Sequence, residues 1–255
     1  MRLPARTTPS RRSITDALHS WATPMGCPVE YLEAPHVVAH ERPPSDDTTI
    51  RTFTAGTVEL VSLPSREDVA IDFDDADIDE LISATRIGAP PGGTIDLPTA
   101  QLIVAEDPVT LALADSWTLQ QEPTTRSLLV LDPQPAVLDM LRNEVAPMEW
   151  REGGGDITGT RRIGALSGGV LVALATVEPP MGRLARIRVI VSPSYRRRGL
   201  GRLVLLALAR KALSDGLLPY CRLAMGNVAA HALASTVGFV AFARSLTMRI
   251  APRST

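Results

Sequence analysis

Apolar positions in the second half of the chain come in short runs with two periods, and their order is legible. Residues 127–131 form an apolar run of strand length. Pro135 opens a helical stretch with Val137, Leu138, Leu141 and Val145 on one face, stopped by Pro147. Residues 148–152 make a further helical turn ahead of Gly153-Gly154-Gly155. Residues 162–166 and 170–177 flank Ser167-Gly168-Gly169 and read as a hairpin. Residues 183–191 are another strand, closed by Ser192-Pro193. A strongly apolar helix over 200–213 stops at Ser214-Asp215-Gly216. A strand at 220–224, a helix at 227–236 and a strand at 242–250 follow. The order is strand, helix, helix, three strands, helix, strand, helix, strand: a mixed α/β layer.

The first half is less regular. Ser13 precedes Ile14, Ala17, Leu18 and Trp21, a stripe that predicts an amphipathic helix ending near Thr23-Pro24. Strand-like residues 37–39, 49–53 and 58–63 surround the loop Arg42-Pro43-Pro44-Ser45. Residues 72–80 hold six acidic residues in nine. A calcium loop of the EF-hand type would need Gly at its sixth position and Glu at its twelfth, where this chain has Asp77 and Ser83. The segment reads instead as an acid-rich helix start, with Ile78, Leu81 and Ile82 facing inward. Ala89-Pro90-Pro91-Gly92-Gly93 breaks the chain. Two strands, 101–105 and 109–113, follow, and 120–125 reads as a boundary.

Composition narrows the function. At 255 residues and 45% hydrophobic, the chain can bury roughly 70–75% of its unfolded surface, enough for one large or two small domains. A net charge of −2 argues against nucleic acid or an acidic membrane as partner. No run of 18 apolar residues suggests a membrane span, and no apolar segment follows the early arginines as a signal peptide requires. A cytoplasmic protein is expected. Cys27 and Cys221 stand far apart and are expected as free thiols. His36 and His40 have metal-ligand spacing without further ligands, so no metal is expected.

The chemistry concentrates in one junction. A strand ending Val189-Ile190-Val191-Ser192-Pro193 leads through Ser194-Tyr195-Arg196-Arg197-Arg198-Gly199-Leu200-Gly201-Arg202 into a helix. Glycines leave the main-chain N–H groups accessible, and a helix N-terminus adds unpaired donors and a positive dipole end. A pyrophosphate suits such a turn. The spacing is neither that of a Walker loop nor that of a Rossmann fingerprint, which would need a third glycine where Val204 stands.

This junction resembles the cofactor signature of the GNAT superfamily of N-acetyltransferases, [Q/R]-x-x-G-x-[G/A] after a strand ending V-x-P. Here it reads Val191-Ser192-Pro193 and Arg196-x-x-Gly199-x-Gly201. A second stretch, Asn227-x-x-Ala230-x-x-Leu233-x-x-x-x-Gly238-Phe239, is similar to the family's N-x-x-[A/S]-x-x-L-Y-x-x-x-G-F. The resemblance covers about residues 127–250. It implies a GNAT-like fold: a mixed, mostly antiparallel sheet flanked by helices. It also implies acetyl-CoA as co-substrate. Val189, Ile190 and Val191 would offer backbone groups to its pantetheine and acetyl carbonyl. Arg196, Arg197, Arg198, Gly199, Leu200, Gly201 and Arg202 would surround the pyrophosphate, and Asn227 would hold the pantetheine arm. Leu203, Leu205, Leu206, Leu208 and Ala209 read as core.

The pattern departs from the family at two places. Ala234 stands where members usually carry a tyrosine general acid, and residues 184–191 lack the carboxylate some members use as base. Glu149, Glu152 and Glu178 are the remaining candidates for a base. By strand alternation Arg186, Arg188 and Ile190 share a face, so the arginines could meet an acceptor bearing a carboxylate or phosphate.

The expected organisation is an unclassified domain over 1–125, with a degenerate GNAT-like lobe left open, and an acyltransferase domain over 126–255. The expected reaction is direct acetyl transfer from acetyl-CoA to the amine of a small molecule or peptide in a ternary complex. The alternative is a non-catalytic acyl-CoA-binding regulatory module. A homodimer is left open.

Overall fold

The computed structural model describes residues 8–45, 47–69, 71–98, 102–119 and 128–250. The boundary expected at 120–125, Gln101 of one expected strand and Ser127 of another lie outside the described residues. Among the described residues six α-helices form: α1 Arg11–Met25, α2 Asp75–Ile87, α3 Pro135–Glu144, α4 Pro147–Glu152, α5 Leu200–Ser214 and α6 Val228–Val237. The strands are β1 Val37–Glu41, β2 Ile50–Ala55, β3 Val58–Leu63, β4 Thr94–Asp96, β5 Leu102–Leu113 and β6 Leu128–Leu131. They continue with β7 Arg162–Ser167, β8 Val170–Val177, β9 Leu184–Val191, β10 Leu218–Ala224 and β11 Val240–Ile250. Among the registered pairings only β1–β3 and β9–β10 are parallel. The class is therefore the expected one: mixed α/β, with a mostly antiparallel sheet and flanking helices.

The chain divides into two compact units. One draws on the chain up to Ala17, on Leu113–Cys221 and on Ala229–Val240; the other on Leu18–Ala112, Arg222–Val228 and the chain from Ala241. Each takes residues from both sides of position 125.

In the second of these units, β1 pairs with β3, β3 with β2, and β2 with β11, the last over Ile50–Thr54 and Arg244–Met248. Helix α2 starts from Asp74, whose carboxylate accepts from the Asp77 N–H, while the Asp77 side chain accepts from the Asp74 N–H. This reciprocal cap explains why the acid-rich run is a helix start. Its inner face, Ile78, Leu81 and Ile82, packs on Ile50, Val61, Leu246 and Met248.

The strands expected at 101–105 and 109–113 are one strand, β5. Pro108 lacks an N–H donor but keeps its carbonyl, which accepts from the Met225 N–H at 3.2 Å. Glu106 pairs with Arg249 and Asp107 with Arg222, so the polar middle of the strand is held by partners more than 100 residues away.

The first unit carries the ladder β6–β7–β8–β9, antiparallel throughout, with the start of β10 parallel to β9. On one face Leu138 and Leu141 of α3 and Trp150 of α4 pack on Leu171, Leu174 and Ile190. In α5 Leu203, Leu205, Leu206, Leu208 and Ala209 are buried, as their spacing predicts. A tether reaches back to the start of the chain. The buried Asp115 carboxylate accepts from the Ser10 N–H at 2.7 Å and from the Ser13 hydroxyl at 2.9 Å.

Cys27 and Cys221 are free thiols, and burial pushes them to about 11 and about 12. Burial also lowers the His40 pKa, and no cluster of three or more His, Cys, Asp or Glu that could hold a metal ion occurs among the described residues. No helix among those residues is long and apolar enough to cross a membrane.

Candidate functional site

The strand β9 carries the site forward. Its pairing with β10 covers Leu184–Arg186, whereas its pairing with β8 covers Ile187–Val191. At its end Ser192 is fully buried: its N–H donates to the Val172 carbonyl at 2.9 Å, and its hydroxyl donates to Glu144. A short 3-10 turn, Pro193–Tyr195, then lifts the chain out of the sheet.

Two left-handed residues follow in alternation. Arg196 is extended, Arg197 has φ 62°, and Gly199 has φ 80° and caps α5. The first intrahelical bond runs from the Leu203 N–H to the Gly199 carbonyl at 3.0 Å. The N–H groups of Leu200 and Gly201 therefore have no acceptor within the helix. Arg197 and Arg198 are exposed beside them, and the Arg198 guanidinium lies 4.9 Å from the Tyr195 ring centroid. A helix N-terminus beside two exposed guanidiniums has the features that suit an anion.

The two glycines of the motif serve different ends. A Cβ on Gly199 would meet nothing within 4 Å, so open space lies against this backbone. A Cβ on Gly201 would sit 3.2 Å from Val191 and 3.3 Å from Leu233, so this glycine lets α5 approach β9 and α6 closely. The residues present thus fit a pyrophosphate: the turn supplies donors, positive charge and room.

Arg196 turns elsewhere. Its Nε donates to the Val191 carbonyl at 3.3 Å, and its Nη2 is ion-paired with Glu149 of α4. Arg202 donates to the Thr236 carbonyl at 3.2 Å, joining α5 to α6. Asn227 stands exposed directly before α6, and its N–H donates to the Ala224 carbonyl at 3.0 Å.

The carboxylates singled out by sequence are placed as follows. Glu149 meets Arg196, and Glu178 meets both Arg186 and Arg188. Glu152 is exposed, and its carbonyl accepts from Arg188 Nη1 at 2.8 Å. The arginine face of β9 also carries the buried Ile190, so it is the face that meets α3 and α4. Over it lie three close-packed glycines. Cβ atoms at Gly153, Gly154 and Gly155 would come within 2.2 Å of Ile190, 3.0 Å of Arg188 and 2.1 Å of the Trp150 ring. In the sequence this triplet marks only the end of the helical turn at 148–152.

Ala234 is 2% exposed, and its carbonyl accepts from the N–H groups of Gly238 and Phe239 at 3.2 and 3.0 Å. It closes the end of α6 and faces the core. Gly238, at φ 104°, brings its α-carbon so near the Thr118 carbonyl that a Cβ would stand 2.0 Å from that oxygen. That contact explains the glycine of the Gly238-Phe239 pair.

Residues 132–239 match the family model described as acetyltransferase (GNAT) family. That stretch, 108 of the 255 residues, is the GNAT-like part of the chain. Members of this family are acyltransferases. No curated protein matches the chain. Among solved structures, the chain is similar to a GNAT-family acetyltransferase from Colwellia psychrerythraea at 20% identity. That match covers 58% of this chain and 57% of the other, with a TM-score of 0.47. A GCN5-related N-acetyltransferase from Kribbella flavida matches at 15% identity, over 60% and 61%, with a TM-score of 0.46. The ribosomal-protein-S18-alanine N-acetyltransferase from Escherichia coli matches at 16% identity, over 50% and 97%, with a TM-score of 0.37.

Proposed function

We propose that the GNAT-like part of the chain transfers an acetyl group from acetyl-CoA to a primary amine on a small molecule or peptide in the cytoplasm. The observation that carries this reading is the turn Arg196–Gly201. Two left-handed residues and the N-terminus of α5 follow directly on β9, with open space over Gly199. In this reading the pyrophosphate sits on residues 197–202 and the pantetheine runs along Val189–Val191.

The reaction is one displacement. The lone pair of the neutral amine attacks the thioester carbonyl carbon, a C–N bond forms, and the C–S bond breaks. The amine nitrogen loses one proton to solvent, and the departing CoA thiolate takes one up. A thiol with pKa near 8.5 is a competent leaving group at neutral pH, which suits a site whose Ala234 closes a helix. Glu149 and Glu178 are engaged by arginines, so catalysis would come from positioning the reactants and from main-chain donors on the developing oxyanion.

The same engaged carboxylates favour a second reading, a non-catalytic acyl-CoA-binding module. Turnover of acetyl-CoA against a panel of amines separates the two. The cofactor assignment has its own test, calorimetry with Gly199→Val. Filling the open space and straining a left-handed residue is expected to weaken acetyl-CoA at least tenfold, about 1.4 kcal/mol, in a folded protein. Unchanged affinity would remove the assignment.

A further inference from the structure

A cavity of about 310 Å³ opens beside the C-terminal end of α5, away from the turn that begins this helix. An α-helix rises about 1.5 Å per residue, so Ala212 lies roughly 18 Å along the axis from Leu200. Leu208 and Ala212, one helical turn apart and both buried, line the cavity from α5. Val177 at the end of β8, Pro179 and Pro180 after it, and Leu217 complete its apolar lining.

The fold holds this lining in place. The Leu217 N–H donates to the Ala212 carbonyl at 3.0 Å, and the Val177 N–H donates to the Arg161 carbonyl at 3.1 Å. The two prolines add rings whose φ is fixed at about −65°. A cavity lined by such anchored residues is formed before any ligand arrives, as small-molecule sites usually are.

The charged groups that border it are unequally engaged. Asp215 accepts a hydrogen bond from Lys211, and Glu178 is ion-paired with Arg186 and Arg188. Both carboxylates therefore already have close donors. Arg161, 42% exposed, has Asp215 as its charged partner, at 3.5 Å from Nε, and its guanidinium makes no hydrogen bond among the described residues. A guanidinium carries five N–H donors in a fork that matches a carboxylate. The unclaimed capacity beside the apolar lining is thus donor capacity.

We propose that this cavity is an accessory binding site for a small carboxylic acid with an apolar body. The body lies against Leu208, Ala212 and Leu217, and the carboxylate meets the Arg161 fork. At about 30 Å³ for a water-sized group, the volume takes roughly ten non-hydrogen atoms, the size of phenylacetate. The site is separate from the turn Arg196–Gly201, so its occupancy requires neither CoA nor acetyl transfer.

The probes are phenylacetate, phenylacetamide and acetate, titrated to millimolar concentration into the full nitrogen-labelled chain and followed by NMR. The amide keeps the body and loses the charge, whereas acetate keeps the charge and loses the body. Phenylacetate is expected to shift the amide signals of Arg161, Val177 and Leu217, and to bind at least fivefold more tightly than either control. In Arg161→Gln its advantage over phenylacetamide should fall below twofold. In Ala212→Leu, whose longer side chain enters the cavity, phenylacetate should bind at least fivefold more weakly. If Ala212→Leu does not fold, Arg161→Gln, at an exposed position, decides alone. Absence of saturable shifts at those amides, equal binding of acid and amide, or an acid preference that survives Arg161→Gln would overturn the site.

Discussion

Gly199 and Gly201 stand two residues apart in one motif, yet the backbone asks different things of them. Gly199 is left-handed and borders open space, so its constraint is conformational, and in the proposed function that space takes the pyrophosphate. Gly201 is helical and wedged against Val191 and Leu233, so its constraint is packing. Replacing Gly201 with Ala should therefore cost stability, about 1 kcal/mol, with acetyl-CoA affinity changed less than threefold. Urea denaturation paired with calorimetry checks both halves of that statement. A tenfold loss of affinity with stability intact would place the cofactor against Gly201 instead. The motif spacing located both glycines but could not tell these demands apart, since the second depends on Leu233, 32 residues downstream. Ala234 shows the same limit. The sequence marked a missing tyrosine, and only the fold shows that the position is a buried helix end.

At the scale of elements, periodicity located most helices and strands, because their apolar faces are continuous in sequence. It failed where partners distant in the chain decide. Glu106-Asp107-Pro108 looks like an interruption until Arg249, Arg222 and the Met225 N–H are brought to it, whereupon β5 runs through. The triplet Gly153–Gly155 is the functional counterpart. It lets the chain leaving α4 lie directly on Ile190, Arg188 and Trp150, so it holds the arginine face of β9 in place. Gly155→Ala should be the most damaging single methyl here. Its Cβ would come 2.1–2.6 Å from the Trp150 indole, which would have to leave a buried position and give up its bond to Asp156. We expect a loss of about 2–3 kcal/mol in urea denaturation, with a red-shifted tryptophan emission. A loss below 0.5 kcal/mol would mean that the α4 end moves freely over β9.

For the molecule as a whole, the resemblance at 127–250 and the way the chain folds are not the same partition. The order of elements in that stretch was legible because it follows one contiguous segment. The contribution of the first 119 residues was not legible, because it consists of contacts that no local pattern announces. The Thr118 carbonyl lies against Gly238, and β11 takes β2 as its partner. A fragment beginning at residue 126 would therefore keep the turn Arg196–Gly201 but lose each of these. In that fragment Leu246 and Met248, fully buried in the intact chain, would lose β2 and the α2 face. Exposing two such side chains costs roughly 3–6 kcal/mol, a large part of the stability of an ordinary domain. The fragment is expected to aggregate or bind a hydrophobic dye, with weak near-ultraviolet circular dichroism. Co-expression with residues 1–125 should restore a soluble, cooperatively melting complex that binds acetyl-CoA. A fragment that melts cooperatively by itself, with intact acetyl-CoA affinity, would instead establish 126–255 as an autonomous domain and reduce the earlier residues to an appendage.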